Sequence, residues 1–289
     1  MTVFINMLPR KGLHMSRKFK TAVFAVATTL LLSAVFANSQ NRVKLDTPKT
    51  PATTKSQVKA SSTPKSSGSD AVTPENSQDF DALENQLANT PTPTISNAVT
   101  VVNQNEPVIY AKEWQSEHIK YGDLDQLNRA TTATAYLSKN NLGKSEGREP
   151  QTFRPTGWHN QPKTINGKRV FPQNRGHLIA YTLTFNLDAS GNQKQGALGS
   201  LDNPKNLVTQ TAYSNQELMQ IYEQKVRDAL AANKQVVYQV TPIFKDTELM
   251  ARGLWLQAKS TDDTLKFSVY IANVQPGLTF NYATGQSAK

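Results

Sequence analysis

The chain contains no cysteine, which removes thiol nucleophiles, thiolate zinc sites and iron–sulfur clusters from the functions it could serve. An exported protein of this size without cysteine is held together by burial rather than disulfides. That suits export from a cell without a disulfide-forming compartment. Histidine is nearly as scarce, at four residues: His14, His118, His159 and His177. They are scattered and form no H-E-x-x-H, so a zinc hydrolase fits poorly. A serine hydrolase lacks a convincing partner for His177. Acidic residues are missing from residues 1–37, which carry Arg10, Lys11, Arg17, Lys18 and Lys20. Residues 21–36 run apolar, apart from a few Thr and Ser, but the run is short for a membrane span. A basic start, a short apolar stretch and small residues around Val35-Phe36-Ala37 read as a signal peptide over 1–37. The alternative is an uncleaved anchor helix, and export is implied either way.

What is present divides the rest of the chain. Half of the formal charge of +10 falls in residues 1–37 and none of it in 38–100. The remainder is modestly basic, which agrees with a polyanionic partner. Residues 38–99, dominated by Ser, Thr, Pro and Lys, bury too little apolar surface to offset their ordering entropy and read as a disordered tether. Within the tether, residues 80–87 are expected to form a helical turn or two, ended by Thr90-Pro91-Thr92-Pro93. Residues 100–289, a stretch of about 190, suit one folded domain.

The punctuation of that domain is α+β, with a mainly antiparallel sheet flanked by helices. Residues 123–128 read as a turn or helix, 130–137 as a strand and 140–151 as a polar loop. Ile165-Asn166-Gly167-Lys168 carries a hairpin signal. Residues 171–184 and 206–211 read as two strands separated by a Gly/Asn-rich connection. A helix over 215–232 follows, with Ser214 and Glu217 as an S-x-x-E capping box. Its apolar stripe is Leu218, Ile221, Tyr222, Val226, Ala229 and Leu230. Residues 235–244, 254–258 and 265–272 complete the strands.

Three short motifs carry chemistry: Asn174-Arg175-Gly176-His177, then Asn203-Pro204-Lys205-Asn206, then Asn215, Glu223 and Arg227 along the helix. Hydrolysing a phosphodiester requires a base for the attacking water, neutralisation of charge on phosphorus, and help for the leaving oxygen. A neutral imidazole can take the water's proton. Magnesium keeps much of its water shell, so a single amide oxygen can fix it. These needs assign His177 as general base and Asn215 as metal ligand. Glu223 would hold the cation's waters, Arg227 would meet the phosphate, and Asn206 would orient base or substrate. Arg148, Arg154, Arg175, Lys205 and Gln210 are candidate phosphate contacts, whereas Trp158 and Phe153 read as loop or core anchors. Each residue alone has an ordinary explanation: a packed histidine, a helix cap, an i,i+4 ion pair. Their joint order is what points to catalysis.

In that order the chain resembles the DNA/RNA non-specific endonucleases with a ββα-metal (His-Me finger) site, especially the secreted Gram-positive branch. The family motif is D-R-G-H, its histidine the general base, and His177 takes that place. Asn215, Glu223 and Arg227 match the N, E and R of the site helix, and Asn206 matches an Asn required nine residues earlier. Leu124, Leu127-Asn128-Arg129, Arg148, Pro155-Thr156-Gly157-Trp158 and Asn281-Tyr282-Ala283-Thr284-Gly285 extend the likeness over residues 110–286. Asn174 departs from the pattern, standing where the family has Asp. The resemblance implies a ββα-metal core and magnesium as cofactor, with manganese able to substitute. It also implies sequence-indifferent cleavage of DNA and also of RNA, with no stable membrane partner unless the leader is retained. The competing reading is a surface receptor that captures DNA with little or no catalysis.

Overall fold

The computed structural model describes residues 76–146 and 148–289. The signal-peptide reading of 1–37 and the tether reading of 38–75 lie outside the described residues. Among the described residues no helix is long and apolar enough to cross a membrane.

Residues 76–99 depart from the expected tether. Helix α1 (Asn76–Ala88) carries Phe80, Leu83 and Leu87 at helical spacing. These pack against Trp255 and Tyr270, with Phe80 stacked on Trp255 at a centroid distance of 5.0 Å. A single apolar stripe with a tryptophan to cover it is enough to order a segment whose composition is otherwise that of a linker.

The main sheet has six strands in the order β1-β10-β9-β8-β3-β2. Its members are β1 (Val99–Val101), β2 (His118–Tyr121), β3 (Ala133–Leu137), β8 (Val236–Ile243), β9 (Gly253–Ser260) and β10 (Lys266–Ala272). Every pairing is antiparallel, and the period-2 pattern of the strands decides which residues face which layer. Ala133, Ala135, Leu137, Tyr238, Val240, Leu254, Leu256, Val269 and Ile271 share the principal core. Their alternates Trp255, Tyr270 and Ile243 face α1 on the other side.

Between β3 and β8 the chain builds the smaller elements. The expected hairpin forms as β4 (Lys163–Ile165) and β5 (Lys168–Val170), with Ile165 paired to Lys168. Asn166 and Gly167 both take positive φ, 48° and 75°, as a two-residue hairpin turn requires. A separate two-stranded sheet pairs β6 (Gln173–His177) with β7 (Leu207–Thr211). A π-helical turn (Ser214–Met219) and helix α2 (Gln220–Ala231) follow. Met219, Val226, Ala229 and Leu230 pack with Leu178, Ile179 and Val208 into the principal core, which fixes the strand–strand–helix unit on one face of the main sheet. A short hairpin, β11 (Thr279–Asn281) and β12 (Gln286–Ala288), ends the chain. The fold is thus α+β and mainly antiparallel, with a ββα unit set into it.

Two local expectations are corrected. The strand read over 171–184 stops at His177. The side chain of Asn206 takes over the backbone of Ile179, accepting from its N–H at 2.8 Å and donating to its carbonyl at 2.9 Å, so no strand ladder is needed there. The Ser214–Glu217 capping box does not form either. Ser214 Oγ accepts from the Gln210 amide at 3.0 Å, while the Ser214 N–H donates to Thr211 Oγ1 at 3.1 Å. The helix entry is capped from β7 instead of from its own first turn.

Candidate active site

Strand β6 brings Arg175 and His177 to one wall of a cleft of about 440 Å³, and the helix brings Asn215, Glu223 and Arg227 to another. Arg148 and Trp158 reach the same cleft from the loops before β4. The glycine between Arg175 and His177 is set by close approach: a Cβ on Gly176 would stand 2.2 Å from Gln210 Oε1. Only a residue without a side chain lets β6 lie against β7 at that point.

His177 is half-buried, and its Nε2 lies 3.0 Å from the carbonyl oxygen of Leu201. A carbonyl can only accept, so Nε2 carries the proton and Nδ1 is the unprotonated nitrogen. Burial pushes the imidazole down to about 4. The guanidinium of Arg148 acts in the same direction, while the backbone of Leu201 and Ser200 and the Asp202 carboxylate act against it. The ring is therefore neutral at physiological pH and oriented with one nitrogen available as a base.

Glu223 is 9% exposed, and burial raises its carboxyl to about 7, against the opposing pull of Arg227. The two side chains approach to 3.7 Å, and Arg227 Nη1 also donates to Thr182 Oγ1. Among the described residues neither the Glu223 carboxylate nor the Asn215 amide has a protein hydrogen-bond partner. No group of three or more His, Cys, Asp or Glu could hold a metal among the described residues. A cation here would have few protein ligands, all of them oxygen, and would keep its water. That donor chemistry suits magnesium and not a soft metal. A buried carboxylate without donors is also what a nearby cation would relieve.

The remaining candidates separate. Arg175 Nε donates to the Phe153 carbonyl at 2.5 Å, and its guanidinium stacks on Trp158 at 4.6 Å. Trp158 is therefore a cleft residue and not only a loop anchor. Asn206 does not reach the cleft. It is fully buried, and through Ile179 it holds the segment that leaves His177, so its place is that of a positioning residue and not of one touching substrate. Gln210, expected at a phosphate, is also fully buried, its amide nitrogen donating to Ser214. Burial beneath the helix entry rules out the phosphate contact. Lys205 pairs with Asp123 at 2.7 Å, and neither it nor Arg154 lines the cleft. Gly143-Lys144-Ser145-Glu146-Gly147 has the spacing G-x-S-x-G, but Ser145 stands in an irregular loop, without the strand-to-helix turn a nucleophilic serine needs.

Three contributors were missed by sequence reasoning. Leu201 acts through its carbonyl, which any residue could supply, so the sequence holds no signal for it. Thr182 anchors Arg227 across the cleft, and only the fold brings them together. Asp202 accepts from the N–H groups of Thr152 and Phe153 at 3.0 and 2.9 Å, which ties the loop after Arg148 to the carbonyl beneath His177. Against its desolvation, its carboxyl is held below the usual range by the Thr152 hydroxyl, by these N–H donors and by Arg175.

Comparisons with known proteins agree with this fold. A family model described as DNA/RNA non-specific endonuclease matches residues 106–262. The crystal structure of NucA from Streptococcus agalactiae with magnesium bound is similar at a TM-score of 0.59 and 32% identity, covering 73% of this chain and 95% of that one. The structure of the Sda1 nuclease with bound zinc shares the fold at a TM-score of 0.50 and 18% identity, covering 67% of this chain and 97% of that one. A deoxyribonuclease of Streptococcus dysgalactiae subsp. equisimilis is 23% identical over 194 residues, 58% of this chain. The match spans 59% of that relative's length.

Proposed function

We propose, from the premise that this chain belongs to the DNA/RNA non-specific endonuclease family, that it is an exported magnesium-dependent endonuclease cutting DNA, and RNA as well, without regard to sequence. One observation carries the reading. An imidazole whose Nε2–H points to the Leu201 carbonyl, leaving Nδ1 unprotonated, shares a single cleft with Asn215, Glu223 and Arg227.

The residues divide the work as follows. A water oxygen attacks phosphorus in line, and its proton passes to Nδ1 of His177. The Leu201 carbonyl, at 3.0 Å from Nε2, keeps the ring in that tautomer and stabilises the imidazolium that forms. Arg227, held by Thr182 and Glu223, meets the negative charge that builds on the phosphate oxygens. The bond from phosphorus to the 3′-oxygen breaks and that oxygen takes a proton from solvent water, leaving a 5′-phosphate and a 3′-hydroxyl; the imidazolium then gives its proton back to solvent. Asn215 would hold magnesium directly and Glu223 through its waters, and the ion when bound supplies charge neutralisation at the phosphate and leaving oxygen. Arg148 and Arg175 contribute grip on the backbone, which carries no sequence information.

The test is cleavage of plasmid DNA, single-stranded DNA and RNA by the full chain, in magnesium and in EDTA. Cleavage of all three in magnesium and of none in EDTA is expected. Tight DNA binding without cleavage would favour the capture receptor instead. The export reading predicts recovery of the mature protein from the medium with residues 1–37 removed.

A further inference from the structure

The hairpin that sequence reasoning singled out has no part in the chemistry above. It leaves the cleft wall at Asn160 and returns at Gln173; both residues line the cleft, and Asn160 Oδ1 accepts from the Gln173 N–H at 3.0 Å to close the base. No Asp or Glu stands between Glu149 and Asp188, whereas Arg154, Lys163, Lys168, Arg169 and Arg175 all do. This stretch, which includes the catalytic strand, thus carries five basic residues and no acid. Lys168 and Arg169 are exposed, and no carboxylate pairs with Lys163, Lys168 or Arg169 among the described residues. Arg169 lies over the ring of Phe171 at 5.4 Å, and Phe171 is 53% exposed. Ile165 packs on the turn at Gly277, where an added Cβ would meet its Cγ2 at 2.8 Å, so the hairpin is braced against the body.

We propose that residues 161–172 form a basic arm that grips the nucleic-acid backbone outside the cleft, lengthening the footprint beyond the scissile phosphate. The proposal rests on the nuclease reading for the identity of the polyanion. The six residue steps from Asn160 to Asn166 span at most about 20 Å at ~3.3 Å each, roughly six base-pair steps of ~3.4 Å. Ammonium and guanidinium groups on a braced arm recognise phosphate without reading bases, which suits a sequence-indifferent enzyme. The arm should therefore govern affinity for long substrates and leave the chemical step alone.

The experiment compares the full chain with the triple variant Lys163→Gln, Lys168→Gln, Arg169→Gln. A duplex of about 40 bp is used as the long substrate, and bis(p-nitrophenyl) phosphate as a diester too small to reach the arm. The arm predicts a KM for the duplex raised on the order of fivefold or more in low salt. The slope of log affinity against log salt should fall by about one to three. The kcat, and hydrolysis of the small diester, should stay as in wild type. An unchanged duplex KM and salt slope would overturn the arm, and so would an equal loss on both substrates, which marks structural damage. Thr164→Lys, an exposed position on the same hairpin, supplies a test immune to misfolding. It should steepen the salt slope by about one, and no change counts against the arm. Binding measured by anisotropy in the His177→Ala background separates the two readings. If wild type fails to cut but the triple variant still loses affinity, catalysis is wrong and the arm stands; if wild type cuts and binding is unaffected, the arm is wrong.

Discussion

Replacing Glu223 with Gln should make the metal-free protein more stable and the enzyme nearly inactive. Burial raises the Glu223 carboxyl from 4.5 to about 7 even though Arg227 pulls the other way. The folded state therefore binds a proton that the unfolded chain releases between those two values, and stability falls as pH rises through that window. Below about pH 4.5 both states are protonated and the residue costs nothing; above pH 7 the charged form is carried in the fold at full cost. At about 1.4 kcal/mol per pH unit, the rise corresponds to roughly 3 kcal/mol. A glutamine amide must still find partners in the same place, so the net gain at about pH 8 is expected at about 1–3 kcal/mol. For a domain of this size that is a rise of roughly 2–12 °C in Tm. The assay is thermal melting of wild type and Glu223→Gln in EDTA from pH 4 to 8. The curves should converge at the acid end and separate toward the alkaline end, with the variant above. In saturating magnesium the order should reverse, because wild type, with the carboxylate beside the ion held by Asn215, gains more from it than the variant does. A variant less stable than wild type in EDTA at about pH 8, or a difference independent of pH, would refute the reasoning.

Three further outcomes follow from the site. His177→Ala should lower kcat by about 10²–10⁴-fold with little change in Tm; near-wild-type turnover removes the base assignment. Because burial holds that imidazole at about 4, wild-type kcat in saturating magnesium should stay level from about pH 8 down to about 5, and a fall centred between 6 and 7 would contradict the placement. Asn206→Ala strips two hydrogen bonds from the buried Ile179 backbone. At about 1–3 kcal/mol for each group left unsatisfied, it should destabilise the fold by about 2–6 kcal/mol in denaturant titration and lower kcat more than it changes KM; wild-type stability would mean that the segment after His177 is held by something else.

Much of this molecule could be read in its residues. Alternation in 130–137, 235–244 and 265–272 matches β3, β8 and β10 because both faces of the sheet are packed and each face selects its own side chains. The Asn-Gly turn between Lys163 and Arg169 declared itself through two residues that tolerate positive φ. The apolar stripe from Leu218 to Leu230 located the site helix. What escaped lives in long-range contacts. Nothing in the local pattern shows that Gln210 would claim Ser214 and spoil the expected cap. Nothing there shows that Asn206 would end β6 by seizing the Ile179 backbone. Composition made 76–99 look like a linker, because three apolar residues suffice once Trp255 is there to receive them. The motif residues were readable as types, and the site required the fold to sort them: His177, Asn215, Glu223, Arg227, Arg148 and Arg175 meet at the cleft, whereas Asn206 and Gln210 support it from beneath.

The decisive measurement pairs two variants with two readouts, magnesium-dependent thermal shift and single-turnover cleavage of duplex DNA. His177→Ala should keep the magnesium shift and lose cleavage, since its imidazole moves the proton and holds no ion. Asn215→Ala should lose both. A His177→Ala protein that no longer responds to magnesium, or an Asn215→Ala protein that still does, would contradict the division of labour on which the account stands.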